Sequence, residues 1–267
     1  MYKEENGRNI KLPTLLLKLM TTPQYRTIWI SDLHIGSTQC QDEILLDFLK
    51  HNDSEKLYLV GDIIDFWALS KKMYWPSSHN TIIQKLLRKA RHGTQIIYIP
   101  GNHDENLRQY DNYVFGDIIV KLSDIHTTAA GQRLLIVHGD EYDNIARHSR
   151  WLSHVGNVGY DWLIQINRAI RYVRKSLGAQ SHFSLATYVK FKVKNLAQFI
   201  YHYEETIVRT LRNEKLDGVV CGHIHHAGIK QIEDFWYINT GDFVENCTAV
   251  VEHFDGRIEL LHWRVTG

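Results

Sequence analysis

The sequence predicts an α/β fold in which buried strands alternate with helices. Short runs rich in β-branched and aromatic residues, such as Thr27–Ile30 and Leu57–Val60, are separated by stretches in which apolar residues recur at helical spacing. The runs themselves are almost continuously apolar, which is typical of strands buried on both faces. A chain of 267 residues with 44% apolar residues can build a sizeable core of this kind.

The elements can be placed in order along the chain. The first half alternates: strand 27–30, helix 44–50, strand 57–60, helix 81–91 and strand 95–99. Later strands follow one another more closely, which favours strand-to-strand connections in the C-terminal part. We predict them at 134–137, 218–221, 236–239, 249–252 and 258–261.

Between residues 144 and 203 the pattern changes to continuous helix. We predict a helical cap there, inserted into a core formed by residues 1–143 and 204–267. The cap holds nine cations and one acid, Asp161, which suits an anionic, partly apolar ligand or an acidic membrane surface. For any single cation, a solvated helix face is the alternative interpretation. The candidate substrate-binding residues are Arg147, Arg150, Trp162, Arg168 and Arg171.

Composition narrows the class of protein. A formal net charge of +1 lacks the basic excess of a general nucleic-acid binder, so no nucleic-acid partner is expected. Three cysteines without a short-spaced pair, and no secretory leader, predict the cytoplasm. The apolar stretch Leu12–Met20 is too short to span a bilayer; it either packs on the domain or contacts a membrane surface. Peripheral contact with the inner membrane and a homodimer are left open.

Polar residues of the metal-ligating type follow five of the apolar runs. In α/β sheets, loops at the carboxyl ends of strands converge on one crevice, so these distant residues can meet there. Glycines directly after the strands permit close approach of the backbone. If the backbone is extended, Asp32 and His34 point to the same side and hold one cation together. The five stretches are Ser31-Asp32-Leu33-His34, Gly61-Asp62-Ile63-Ile64-Asp65, Gly101-Asn102-His103-Asp104, Val137-His138-Gly139-Asp140 and Gly222-His223-Ile224-His225.

The mixture of ligand types indicates which metals fit. Carboxylate, imidazole and amide groups together suit Mn²⁺, Fe²⁺ or Zn²⁺ better than Ca²⁺. The ligands outnumber the needs of one ion, which favours two ions sharing a carboxylate, an arrangement that catalyses phosphoryl displacement. Each stretch alone has another interpretation, as a helix cap, an Asx turn or a surface loop. Their combination, each after a strand, favours the metal interpretation.

These five stretches resemble the motif set of the calcineurin-like metallophosphoesterases. The resemblance extends from about residue 26 to 264, apart from the cap, and implies a four-layer αββα sandwich with two metal ions. It places Asp32, His34, Asp62 and His225 on one ion, and Asp62, Asn102, His138 and His223 on the other. Asp62 would bridge the ions, and Mn²⁺ is the expected metal, with Fe²⁺ or Zn²⁺ as alternatives.

Within that superfamily the chain is most similar to the UDP-2,3-diacylglucosamine hydrolases of the lipid A pathway. Those enzymes share a helical cap after the His-Gly-Asp loop and a late Gly-Asp turn, here Gly241-Asp242. His103 stands where that branch commonly has Arg, and His226 completes a Gly-His-Ile-His-His run where Thr and Arg are frequent. A related phosphoesterase acting on another nucleotide-diphosphate or lipid phosphodiester is therefore the alternative.

The resemblance also implies a mechanism. His103, oriented by Asp104, would lie over the scissile phosphate and protonate the leaving group or stabilise charge. Asp65 is expected to be a turn residue or a partner of a ligand rather than a ligand itself. The products would be UMP and 2,3-diacylglucosamine 1-phosphate. A nuclease, a protein phosphatase and an inactive interaction module of the same fold are less favoured, because the charge is near neutral, the cap would obstruct an open site and no ligand is missing.

Overall fold

The computed structural model describes residues 24–145, 200 and 203–264. Within them the chain forms two β-sheets. The first has seven strands in the order β12-β11-β1-β2-β3-β5-β4, and the second has five in the order β6-β7-β8-β10-β9. The strands are β1 Tyr25–Ile30, β2 Ser54–Val60, β3 Gln95–Ile99, β4 Val114–Phe115, β5 Ile118–Val120, β6 Asp124–Thr127, β7 Arg133–Ile136, β8 Gly218–Cys221, β9 Gly228–Ile232, β10 Phe235–Asn239, β11 Thr248–Glu252 and β12 Ile258–His262.

Helices cover the outer faces of the two sheets. In the described part of the chain they are α1 Asp42–His51, α2 Phe66–Lys71, α3 Ser77–Arg91 and α4 over residues 203–214, with short 3-10 turns at Glu105–Tyr110 and Asp140–Ile145. Helix α1 shows why such a segment is helical. Acids occupy its first turn and Lys50 and His51 its last, which complements the helix dipole, while Leu45, Phe48 and Leu49 form one buried stripe.

Alternation along the strands produces three separate apolar layers. In β1, Ile28 and Ile30 pack against α1 and α3, while Trp29 faces the second sheet. In the second sheet, Leu134 and Ile136 join Trp29 between the sheets, whereas neighbouring residues pack against α4. The order helix, sheet, sheet, helix is the predicted αββα sandwich. The centre of each sheet is parallel, so the carboxyl ends of β1, β2 and β3 lie at one edge.

The predicted strands and the two predicted helices are all present, with bounds that differ by up to four residues. Pattern reasoning missed α2 and the part of α4 beyond Tyr203. It also missed the strands β4, β5, β6 and β9, which are short or lie at sheet edges. Residues 146–199, most of the predicted cap, and the stretch Leu12–Met20 lie outside the described residues. Tyr203, the last residue assigned to the cap, is buried beneath the second sheet with Ile207 and Leu211.

Candidate metal centre

The five predicted motifs lie at the carboxyl ends of β1, β2, β3, β7 and β8. Backbone hydrogen bonds hold neighbouring loops together: the N–H groups of Asp32 and His34 donate to the carbonyl oxygens of Gly61 and Asp62, both at 3.0 Å. Because the two sheets pack face to face, these ends form one crevice. The predicted convergence of distant segments is therefore observed.

One group of ligand atoms comes from the loops after β1 and β8. Side-chain atoms of Asp32, His34 and His225 all lie within 4.8 Å of one another. The Nε2 atom of His225 is 3.2 Å from Oδ1 of Asp32. Asp32 and His34 are buried, whereas the His225 side chain is 38% exposed, so this group opens to solvent on the His225 side.

A second group comes from the loops after β2, β7 and β8. Atoms of Asp62, His138 and His223 also lie within 4.8 Å of one another. Nε2 of His138 is 3.4 Å from Oδ2 of Asp62, and the rings of His138 and His223 are 5.1 Å apart. Asn102 is buried in the adjoining loop. The contacts place Asp62 in this second group, and its role as a bridge between two ions stays a prediction.

The unpaired atoms in the crevice fit divalent ions. Four buried side-chain atoms make no well-formed hydrogen bond among the described residues, although burying such atoms unpaired is costly. Two of them, Oδ1 of Asp32 and Nε2 of His138, have only the contacts with His225 and Asp62 given above. All four are lone-pair donors of the type that binds borderline metals. They are Oδ1 of Asp32, Nε2 of His34, Oδ1 of Asn102 and Nε2 of His138.

The orientation of two histidine rings supports the same conclusion. Nδ1 of His34 lies 3.0 Å from Oδ2 of Asp65, and Nδ1 of His138 lies 3.0 Å from the carbonyl oxygen of Val60. An acceptor at Nδ1 places the proton on that nitrogen and leaves the lone pair of Nε2 facing the crevice. Both rings are thereby fixed in the tautomer that a metal ligand requires.

The backbone at the candidate ligands is unusual. Five candidate ligands have φ between 50° and 69°, the left-handed region that residues other than glycine rarely adopt. They are Asp32, His34, Asp62, His223 and His225. The expectation of extended backbone at Asp32 and His34 is therefore wrong, and left-handed turns bring these side chains together instead. Such conformations cost free energy and gather at functional sites, where surrounding contacts hold them.

Two glycines allow the loops to approach each other closely, as predicted. Gly61 has φ of 79°, and a Cβ atom there would collide with the ring of His138. A Cβ atom at Gly222 would collide with the side chains of Ser31 and Asp32. Any larger residue at either position would displace a candidate ligand.

The electrostatics of the crevice favour added positive charge. Burial alone would raise the pKa of Asp62, but the adjacent His138 holds it well below its ordinary range. For His138, burial acts to lower the pKa, and the carboxylate of Asp62 outweighs it and raises the pKa to about 10. The carboxylates thus stabilise positive charge beside them. A divalent ion would bind in competition with protonation of the histidine rings.

The partner of His103 differs from the prediction. Asp104 was expected to orient this ring, but its carboxylate accepts hydrogen bonds from the backbone N–H of Ile63 at 2.8 Å, from that of Gly101 and from the hydroxyl of Tyr98. It is fully buried and holds the loops together. Nδ1 of His103 instead lies 2.9 Å from Oδ1 of Asp65. The expectation that Asp104 orients His103 is thus wrong, because the turn aims Asp104 inward.

Asp65 has two structural roles near the crevice. It caps α2 by accepting the N–H of Ala68 at 2.7 Å, and its two oxygens contact His34 and His103. With Nδ1 held, Nε2 of His103 points towards Asp62, 4.0 Å from Oδ2. Burial acts to lower the pKa of His103, but the hydrogen bond to Asp65 and the charge of Asp62 raise it above its ordinary value.

Sequence reasoning missed one aromatic contact and could not place the substrate residues. Trp67 contacts His103 with ring centroids 4.3 Å apart and ring planes tilted by 35°, and it is 39% exposed, so it borders the crevice. Its spacing gave no signal, because a tryptophan after a helix cap is more often a core residue. The candidate substrate-binding residues Arg147, Arg150, Trp162, Arg168 and Arg171 lie outside the described residues.

The fold and the paired ligand groups define a metal-dependent phosphoester hydrolase. The chain belongs to the calcineurin-like phosphoesterase family, whose model matches residues 25–227. None of the helices in the described ranges is both long and apolar enough to cross a bilayer.

Curated relatives are similar over most of their length. The chain is 25% identical to a UDP-2,3-diacylglucosamine hydrolase of Aliivibrio fischeri over 247 residues, which cover 88% of this chain and 97% of the relative. It is 22% identical to the enzyme of that name from Histophilus somni strain 2336, over 77% of this chain and 86% of the relative. Among solved structures, it is similar to a novel archaeal phosphodiesterase at 11% identity and a TM-score of 0.43, covering 88% of this chain and 98% of the other.

Proposed function

We propose that this protein hydrolyses UDP-2,3-diacylglucosamine to UMP and 2,3-diacylglucosamine 1-phosphate, using two divalent ions, most favourably Mn²⁺. The observation that carries the substrate is the near end-to-end similarity to relatives of that name, at low identity. The crevice supports the reaction class, because it offers two groups of ligands beside a histidine poised as an acid. Asp32, His34 and His225 would hold one ion; Asp62, Asn102, His138 and His223 would hold the other, with Asp62 shared.

When bound, the two ions would activate a water molecule as the nucleophile and neutralise charge on the phosphoryl oxygens. The chain's own residues orient the general acid and donate the proton. Asp65 holds the proton on Nδ1 of His103 and so fixes the ring. Nε2, directed towards Asp62, can then carry a second proton and donate it to the leaving oxygen. Against the effect of burial, the hydrogen bond to Asp65 raises the pKa of His103 and so favours the protonated ring that such a step needs.

The chain would meet its lipid substrate at a membrane surface. Exposed apolar side chains occur in and after α2: Trp67, which contacts His103 at the crevice, and further along the chain Met73 at 76% exposure and Tyr74. Lys71 and Lys72 are exposed in the same stretch, and residues 66–80 contain no acid. Aromatic and basic side chains together suit the interface of an anionic bilayer. The predicted cap, with its nine cations, would add to this surface.

The test is direct hydrolysis by the purified protein with Mn²⁺, following UMP release. We expect turnover of UDP-2,3-diacylglucosamine, faster when the substrate is presented in anionic vesicles than in neutral detergent, and a KM that rises as the acyl chains are shortened. Met73→Glu should weaken the advantage of vesicles and leave hydrolysis in detergent unchanged. Equal kinetics on a water-soluble nucleotide-diphosphate sugar would contradict the lipid substrate and favour a related phosphoesterase.

A further inference from the structure

The carboxylate of Asp242 lies beside His225, a histidine of the metal centre whose side chain is 38% exposed. Asp242 follows β10 and is fully buried. Its Oδ1 accepts the backbone N–H groups of Val244, Glu245 and Asn246 at 2.9, 2.6 and 3.0 Å. Its Oδ2 accepts the amide N–H of Asn246 at 2.6 Å and lies 3.6 Å from Nδ1 of His225. One oxygen thus organises the turn, and the other faces the histidine.

The three best-placed histidine ligands differ in how firmly they are held. His34 and His138 are almost completely buried, and Nδ1 of each lies 3.0 Å from an acceptor. The His225 side chain is 38% exposed, so packing constrains its ring less. Its backbone is also left-handed, with φ of 54°. Among the described residues, Asp242 is the acidic group that faces Nδ1 of His225, and the orientation of this ring depends on that contact.

We propose that Asp242 is a positioning residue for the subsite formed by Asp32, His34 and His225. It directs Nε2 of His225 at that subsite and does not act on the subsite of Asp62 and His138. The inference rests on the proposed assignment of His225 as a ligand. The sequence showed the Gly241-Asp242 turn only as a feature shared with similar enzymes; the proposal gives it a role in assembling one of the two ion sites.

The substitution Asp242→Asn removes the Oδ2 acceptor, and with it the contact with His225 and the hydrogen bond from the amide of Asn246. Its amide oxygen can still accept the three backbone N–H groups of the turn, while an NH₂ group replaces the acceptor that faces His225. We expect one of the two bound Mn²⁺ ions to bind about 10 to 100 times more weakly, as is typical when the partner of a ligating histidine is lost, and the other to bind as in the wild type. Titration of the metal-free protein, with free Mn²⁺ followed by electron paramagnetic resonance, measures both affinities.

Two control variants distinguish loss of the contact between Asp242 and His225 from a general loss of rigidity in the turn. Asn246→Ala removes the amide that braces both Oδ2 of Asp242 and the carbonyl oxygen of His225, but keeps the carboxylate. Glu252→Gln alters another fully buried carboxylate that faces a histidine, remote from the crevice. Both should bind two ions with wild-type affinity. If Asn246→Ala weakens binding as much as Asp242→Asn, rigidity of the turn is responsible and the proposal is overturned.

The remaining outcomes are equally decisive. Wild-type protein that binds no ion would contradict the proposed metal centre itself, whereas two tight ions in Asp242→Asn would contradict only the role of Asp242. If Asp242→Asn does not fold, nitrogen-15 NMR of the zinc-loaded wild type decides. The inference requires the His225 ring to carry its proton on Nδ1. A proton on Nε2 would contradict it.

Discussion

Two buried clusters of histidine and carboxylate lie at different levels of this sandwich, and they differ in how many of their polar atoms are satisfied. In the metal centre, four buried ligand atoms make no well-formed hydrogen bond among the described residues, whereas in the second cluster one such atom, Nδ1 of His126, is left. In the second cluster, Glu252 of the first sheet meets His126 of the second at 2.8 Å. There Oε2 also accepts the hydroxyl of Thr27, and Oε1 accepts from Arg26 and from the N–H of Ala129.

The comparison shows that residue type alone does not identify a functional site. The carboxylates of both clusters are buried, and both clusters hold a carboxylate with a lowered pKa: burial alone would raise the pKa of Glu252, but its hydrogen bond to His126 and other contacts bring it to about 2. The second cluster satisfies its carboxylate within the fold and joins the two sheets. The first leaves its lone pairs open and holds five ligands in left-handed backbone. Unpaired lone pairs and strained backbone together distinguish the candidate metal centre from the second cluster.

The largest effect should follow from removing the predicted bridge. Asp62→Ala takes away a carboxylate that both ions are proposed to share, so both ions should be lost at ordinary metal concentrations. Without them, hydrolysis should fall by more than about a thousandfold, because nucleophile generation and charge neutralisation disappear together. Elemental analysis of the purified variant and an activity assay measure the two effects.

Glu252→Gln is the matched control for Asp62→Ala, since it changes a carboxylate of the other cluster. It should retain two ions and full turnover. Two ions per chain in Asp62→Ala would show that Asp62 does not bridge, and the assignment of the shared ligand would be wrong.

A smaller effect is expected from His103→Ala, which leaves the ligand groups in place. Turnover should fall by about 100 to 10,000 times, the usual loss when a general acid is removed, while metal content stays at two ions. Asp65→Asn should lower turnover less, because His103 remains; one of the two histidines that contact Asp65, His34 or His103, loses its acceptor at Nδ1, and metal analysis shows whether the ligand His34 is affected. Steady-state kinetics with metal analysis of each variant test this order.

The Asp104→Asn variant tests whether Asp104 contributes to the action of His103. Asp104 accepts backbone N–H groups and does not contact His103, so we expect lower stability and nearly normal turnover per folded molecule. If Asp104→Asn reduced turnover as strongly as His103→Ala, without loss of stability, the original expectation that Asp104 acts on His103 would return.

The fold was predictable because the strands that build the core are long and continuously apolar. The strand at Gln95–Ile99 and that at Gly218–Cys221 match the prediction residue for residue. Edge strands such as Val114–Phe115 escaped prediction, since two exposed residues carry no periodic signal. The short helix Phe66–Lys71 has no buried residue, so amphipathic spacing could not reveal it.

The site was predictable in its composition and not in its local geometry. Metal-type residues directly after strands pointed to one crevice, because the carboxyl ends of parallel strands share an edge. The partner of His103 was not predictable, because the loops after two different strands bring Asp65 to it, 38 positions away in sequence, while the adjacent Asp104 turns inward. Left-handed backbone at Asp32 and His34 likewise depends on the folded loops and leaves no mark in the spacing.

The smallest effect concerns stability and belongs to the second cluster. The pKa of Glu252 is lowered from 4.5 to about 2, so the charged form stabilises the fold above pH 4.5, and that contribution is lost as the pH falls towards 2. Glu252→Gln should therefore reduce the free energy of unfolding at neutral pH by up to about 3 kcal/mol. The difference from the wild type should shrink between pH 4.5 and 2. Urea unfolding of both proteins across this range measures it.

An exposed carboxylate provides the control for burial. Asp53 pairs with Lys89 at 2.5 Å, but its side chain is 66% exposed, and a surface ion pair contributes about 0 to 1 kcal/mol. Asp53→Asn should consequently leave the urea midpoint almost unchanged at every pH. If Glu252→Gln behaved like Asp53→Asn, the bridge between the sheets would contribute little despite its burial. The two clusters would then differ in their openness to a ligand and not in what they contribute to the fold.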